Sequence, residues 1–279
     1  MKLYTKTLIL LLVLPILLLS TVTRSSAANP AIIGGEDAKP GEFPFLVALV
    51  STSDDSQFCD GSLIDKDWVL TAAHCFFTDD TPPVQDTFAT DVNIKMGITD
   101  LTDPSAQVIG VAKIFQPGYD GDIHDIALLK LKKSAQIDNK LVATIKFNDD
   151  PKFPALKTAV WLAGWGATDP QGNDYTDTLK KVIMPIASCD SDVEREYVCA
   201  GKKGKDSCEG DSGGPLVVQQ GSLSTPDASE PQPGLHALEI GIVSFGDDTC
   251  FQLSAYTRTS SYAAWITKTM KDNASKSSK

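Results

Sequence analysis

The chain has 279 residues, 42% of them hydrophobic, with a formal net charge of −11. That length supports one large or two modest domains with a sizeable core. The acidity argues against nucleic acid or an anionic membrane as partner. It is compatible with basic substrates.

Taken in chain order, Lys2 and Lys6 precede an apolar run, Leu8–Leu19, broken only by Pro15. The run is too short to span a bilayer, which takes about 20 residues. It therefore reads as a secretory signal rather than a membrane helix, with Ser25-Ser26-Ala27 and Ser26-Ala27-Ala28 offering small-residue cleavage sites. Removing residues 1–31 takes away Lys2, Lys6 and Arg24 and no acid, so the charge moves from −11 to −14. Short β-rich runs follow: Phe43–Val50, Trp68–Thr71, Val92–Met96, Val108–Phe115, Ile126–Leu131, Ala159–Ala163, Leu179–Ile186, Pro215–Gln219 and Leu238–Phe245. Their spacing, with Gly, Pro, Asp and Asn between them, predicts an all-β sandwich or barrel. Thr78–Asp86 and the Pro/Ser/acid-rich Gln220–Gly234 read as solvated loops. Tyr262–Lys271 places Tyr262, Trp265, Ile266 and Met270 near one face of a helix. Asn273-Ala274-Ser275 matches a glycosylation acceptor pattern.

The six cysteines, Cys59, Cys75, Cys189, Cys199, Cys208 and Cys250, all follow the signal segment, and an even number in a secreted chain implies three disulfides. Six cysteines allow 15 connectivities, which counting leaves open. The lack of CxxC pairs speaks against zinc. The only histidines are His74, His124 and His236.

Three segments carry chemistry. Asp206–Leu216 reads DSCEGDSGGPL, a serine held between an aspartate and two glycines. Glycines allow unusual dihedrals and close approach, as a nucleophile beside main-chain N–H donors requires. A base candidate, His74, ends VLTAAHC, and a carboxylate candidate, Asp125, opens the apolar run in HDIALLKL. Each alone has a plainer reading: a turn, a structural histidine, a strand-flanking acid. Together they differ.

The chain resembles the chymotrypsin/trypsin family of serine endopeptidases over Ile32–Lys271, through IIGGEDA, GSLIDKDWVLTAAHC, HDIALLKL, AGWG, KDSCEGDSGGPL and IVSFG in the family's order. The resemblance implies two packed antiparallel six-stranded β-barrels with a C-terminal helix. It divides the chain into a signal peptide (1–27), a short propeptide (28–31), an N-terminal barrel (32–150) with His74 and Asp125, and a C-terminal barrel and helix (151–279) with Ser212. In the implied mechanism Ser212 attacks the scissile carbonyl, His74 moves the proton and Asp125 orients the imidazole. The N–H groups of Gly210 and Ser212 form the oxyanion hole. Ser244 lies near the triad carboxylate, and Ser244–Gly246 pair with the substrate backbone. The resemblance also implies disulfides Cys59–Cys75, Cys189–Cys199 and Cys208–Cys250, with Val160 and Val218 in place of a further family pair. His124, on the opposite side of an extended chain from Asp125, reads as peripheral.

By the same resemblance, Asp206 sits at the base of a pocket for Lys or Arg, beside Ser207. Phe245 stands for the family's usual tryptophan, the Cys250–Tyr256 segment is short, and Ser254 replaces a pocket-lining glycine, which disfavours Arg more than Lys. Glu209 puts an acid at the rim and is expected to favour, weakly, basic residues near the cleaved bond. Cutting before Ile32 frees an amine that pairs with Asp211. Because Ala31 is not Lys or Arg, another protease is expected to make that cut. Activity should fade at high pH as the amine, ordinarily of pKa ~7.7–8.0, loses its charge, with the ion pair raising that limit. No cofactor is expected, and Met96–Gln107 lacks a glutamate expected of a calcium loop. The expected partners of this secreted monomer are protein or peptide substrates, an activating protease and protein inhibitors. The alternatives are chymotrypsin- or elastase-like preference, a non-catalytic binding protein of the same fold, and, more weakly, a docking role for the Gln220–Gly234 loop.

Overall fold

The computed structural model describes residues 32, 35–78, 84–121, 123–169, 174–189, 195–219, 234–246 and 253–274. Six strands, β2 (Leu46–Ser51), β3 (Gln57–Asp65), β4 (Trp68–Thr71), β5 (Val92–Met96), β6 (Gln107–Phe115) and β7 (Ala127–Leu131), close into an antiparallel barrel in the order β2-β3-β4-β7-β6-β5. Alternation directs the apolar side chains inward. Ile94 and Met96 of β5, Ile109 and Val111 of β6, and Leu129 of β7 meet Val47, Leu49 and Val69 in one buried cluster. The β3–β4 reversal is closed by the Asp67 N–H donating to Asp65 Oδ1 at 2.9 Å, a side chain standing in for a backbone turn.

A second ring of six antiparallel strands is built from β9 (Ala159–Gly164), β10 (Lys180–Ala187), β11 (Tyr197–Ala200), β12 (Pro215–Gln219), β13 (Ala237–Phe245) and β14 (Ser254–Arg258). Its order is β10-β11-β14-β13-β12-β9, and β9 returns to β10. The strands β1 (Glu36–Asp37) and β8 (Lys146–Phe147) add to β10 and β13. Val160 and Val218 lie together in this barrel's core, where two apolar side chains do the packing that a disulfide pair would displace. Ile32 is fully buried in the same cluster.

Phe43, Phe45, Leu46 and Ala48 on one side and Trp161, Ala163, Trp165 and Val217 on the other form the apolar seam between the barrels. The helix α1 (Thr259–Asp272) lays Tyr262 and Ile266 against Trp68, Leu70 and Leu128 of the first barrel and Ile242 of the second. It starts three residues before Tyr262, where the sequence pattern began it. The Thr259 hydroxyl makes that start, bonding the carbonyls of Asn148 at 3.1 Å and Glu239 at 3.2 Å.

Two expected disulfides are present, Cys59–Cys75 and Cys189–Cys199. Cys208 is also disulfide-bonded; its expected partner Cys250 lies outside the described residues. Residues 1–31 and most of both expected loops (79–83 and 220–233) lie outside them too.

Candidate active site

His74 opens a single turn of 3-10 helix (His74–Phe76) directly after β4, and the adjacent Cys75 is tied to β3 through Cys59. Asp125 lies just before β7, which pairs with β4 in register, Thr71 opposite Ala127. The pairing brings the two side chains together. Asp125 Oδ2 lies 2.8 Å from His74 Nδ1, and Oδ1 accepts the His74 backbone N–H at 2.8 Å. From the second barrel, the Ser244 hydroxyl donates to Oδ2 at 2.5 Å, and the Thr257 hydroxyl donates to the Asp125 carbonyl at 2.7 Å.

Burial of a lone carboxylate costs several kcal/mol, and here it pushes the Asp125 carboxyl up. The charge and hydrogen bonds of His74 and the Ser244 hydroxyl outweigh it, so Asp125 is held below its ordinary value. An ionised carboxylate accepts only, so His74 Nδ1 carries the proton in this pair and Nε2 is left as the acceptor.

The serine arrives from the other barrel, on the loop between β11 and β12. Its carbonyl accepts the Asp60 N–H of β3 at 2.7 Å, and the next N–H, of Gly213, donates to the Val243 carbonyl at 2.9 Å. Gly213 has φ +80°, and a Cβ there would lie 2.1 Å from the Thr71 hydroxyl. Only glycine lets this loop press against the segment leading into His74. Gly210 has φ +91° and is less tightly enclosed, with Gly166 Cα 2.9 Å from the position of its absent Cβ. The Asp211 N–H is used by the Cys208 carbonyl at 3.1 Å. Among the described residues no acceptor takes the N–H of Gly210 or Ser212.

Asp206 is fully buried and its Oδ1 accepts the Ser207 N–H at 2.9 Å. Ser207, also buried, has its hydroxyl 3.4 Å from the Tyr256 hydroxyl. Ser254 is buried, with Oγ 2.3 Å from where a Cβ on Gly246 would sit, so the two residues close tightly on each other. Phe245 is half exposed and meets the Tyr197 ring edge-on at 5.0 Å. Glu209 is exposed and accepts the Tyr175 hydroxyl at 3.2 Å. His124 turns away at φ +61° and lies 3.1 Å from the Tyr262 hydroxyl on α1, which donates in turn to Glu196. Asn273 caps the helix, its side-chain amide donating to the Thr269 carbonyl at 3.0 Å.

Sequence reasoning passed over three residues here. Thr257 lay in a segment that it left unassigned. Gln57 and Asp60 lie in β3, and the one available signal was an acid between a half-cystine and a glycine in FCDGS.

Two six-stranded antiparallel barrels that meet at an imidazole–carboxylate pair and a glycine-flanked serine define the chymotrypsin-like fold. The family model described as Trypsin matches residues 32–266. The chain is 32% identical over 280 residues to Serine protease 1 of Homo sapiens, covering 93% of this chain and 99% of that protein. It is 32% identical over 271 residues to Trypsin-3 of Homo sapiens, covering 91% and 78%. The chain belongs to the trypsin family of serine endopeptidases.

Proposed function

We propose that this serine protease is secreted as a zymogen, matures by a cut before Ile32, and cleaves proteins after Lys or Arg through an acyl-enzyme. The observation that carries the catalytic assignment is the polarised His74–Asp125–Ser244 array beside the glycine-flanked serine loop, whose Ser212 carbonyl accepts the Asp60 N–H. With Nδ1 protonated toward Asp125, Nε2 takes the proton of Ser212 as its Oγ attacks the carbonyl carbon. The oxyanion is received by the N–H groups of Gly210 and Ser212. Each such donor contributes about two to three orders of magnitude in turnover. The imidazolium then protonates the leaving amine. Water repeats the sequence on the ester and frees Ser212.

Asp206 supports the preference for a cationic side chain: it is a fully buried acid that accepts the Ser207 N–H, at the position where the trypsin-like branch receives Lys or Arg. The acidic surface adds a weak general attraction for basic substrates.

The test uses chain matured to begin at Ile32. A sulfonyl fluoride should label Ser212 stoichiometrically, and chromogenic peptides ending in Lys or Arg should be cleaved in preference to those ending in Phe or Ala. Absence of labelling points instead to a binding protein of this fold. Preference for Phe or Ala points to chymotrypsin- or elastase-like specificity.

A further inference from the structure

Beneath the serine loop, strand β3 places an acid that the chemistry above does not use. Asp60 is fully buried. Its Oδ1 accepts the Gln57 side-chain amide at 3.0 Å and its Oδ2 accepts the Trp165 N–H at 3.3 Å. The same Gln57 nitrogen donates to the Gly210 carbonyl at 2.8 Å, so one amide links Asp60 to the oxyanion loop. Asp211, also fully buried, accepts the N–H groups of Gly166 at 3.0 Å and Cys208 at 2.9 Å.

The two carboxylates share one small volume at Gly164. A Cβ there would lie 2.2 Å from Asp211 Oδ1 and 2.6 Å from Asp60 Oδ2. Like charges this close disfavour double ionisation. Burial, and then the charge of Asp211, push Asp60 well above its ordinary value, and burial pushes Asp211 up to about 7. Among the described residues, Asp206, Tyr175 and Tyr256 also interact electrostatically with Asp211. Val160, Leu162 and Gly164 share one face of β9, and the buried Ile32 packs in the cluster of the first two.

We propose that Asp60 is a positioning residue: with Asp211 it forms a two-carboxylate cage for the ammonium group of Ile32, and through Gln57 it fixes the Gly210 peptide. The inference rests on the reading above that the mature chain begins at Ile32. In the uncut chain the cage holds a proton in place of a counter-charge. Hydrolysis of the Ala31–Ile32 bond by water leaves a carboxylate on Ala31 and an ammonium group on Ile32. As the ammonium enters, the proton leaves for solvent, and the cage passes from one negative charge to two negatives and one positive. Its net charge is unchanged.

The experiment uses the full chain carrying Ala31→Lys, cut by a lysine-specific peptidase, with the Ile32 terminus checked by N-terminal sequencing. Rates on a small chromogenic lysyl peptide are followed across the alkaline range. Removing one cage charge lowers the amine's pKa, so Asp60→Asn should move the alkaline limb of kcat down by about one pH unit or more, with kcat reduced and KM little changed. Gln57→Leu keeps both carboxylates and should lower kcat several-fold with the limb in place. If the Asn amide prevents folding, Asp60→Gly retains the backbone bonds of residue 60 and must show the same shift. An alkaline limb that coincides with the parent's overturns the proposal. Matured Asp211→Asn separates the two readings: full activity there removes the activation reading and this inference together. An inactive Asp211→Asn beside an unshifted Asp60→Asn overturns this inference alone.

Discussion

At His74 the division of labour between the two ring nitrogens follows from the burial of Asp125. A carboxylate that accepts the imidazole, a backbone N–H and the Ser244 hydroxyl stays ionised, and it therefore dictates the tautomer. Asp125→Asn offers an amide that can leave Nε2 protonated, and kcat should fall by about 10⁴ with KM little altered. Steady-state kinetics on a lysyl peptide checks this, and a loss below tenfold would remove Asp125 from the proposed mechanism. Ser254 poses a separate question of size. Its hydroxymethyl is buried against Gly246 in the segment proposed to line the primary pocket. Ser254→Gly should raise the Arg-to-Lys ratio of kcat/KM by about tenfold, the scale of one small group in a specificity site. An unchanged ratio on paired Arg and Lys peptides would show that the hydroxyl does not narrow the pocket. The proposed catalytic trio was legible because its flanks carry a local signature in this chain: small residues before His74, an apolar strand after Asp125, glycines after Ser212. Asp60 was not legible, since an acid between a half-cystine and a glycine reads as readily as a turn acid as a buried one.

Among the elements, β4, β5 and β12 match the runs read from the sequence, and β6, β7, β9, β10 and β13 differ from theirs by a residue or two at the ends. Each has branched or large apolar side chains that a barrel interior takes up. The strands not foreseen are β3, β11 and β14 and the two-residue β1 and β8. In β3 buried polar residues face the junction, where Asp60 accepts the Trp165 N–H and Ser62 meets Glu239, so hydrogen bonds across the seam take the place of an apolar face. The helix α1 was legible from its period, and its role as a clasp on both barrels was not. Ile266 is fully buried among Trp68, Leu70 and Ile242. Ile266→Ala should cost about 2–5 kcal/mol of stability, read from urea denaturation. The turnover of the folded fraction should be unaffected because the helix lies outside the catalytic array.

For the molecule as a whole, the junction between barrels sets both the site and its pH response. Glu239 of β13 is fully buried there, bonded to the Ser62 hydroxyl of β3 at 2.6 Å. Burial pushes its carboxyl up to about 8, against an ordinary value of 4.5, although the Ser62 bond pulls the other way. The folded state thus retains a proton that the unfolded chain gives up above pH 4.5. The contribution is present in full below that pH and is lost as pH rises to about 8. Glu239→Gln keeps an acceptor for Ser62 and removes the titration. The variant should be more stable than the parent by about a few kcal/mol near pH 8, with the difference shrinking toward pH 5. Parallel denaturation curves at the two pH values test this, and an equal difference at both would exclude Glu239 as the source. By itself the sequence determined the β class, the residues of the array and the family resemblance, because periodicity, glycine and the flanks of His74, Asp125 and Ser212 are local properties. Only the tertiary structure decided that Asp60 and Asp211 share a cage, that Ser244 and Thr257 hold Asp125 from the second barrel, and that Glu239 is sealed in the seam. Those outcomes depend on which strands meet across the junction, and the burial that gives each group its charge state exists only once both barrels have closed on it.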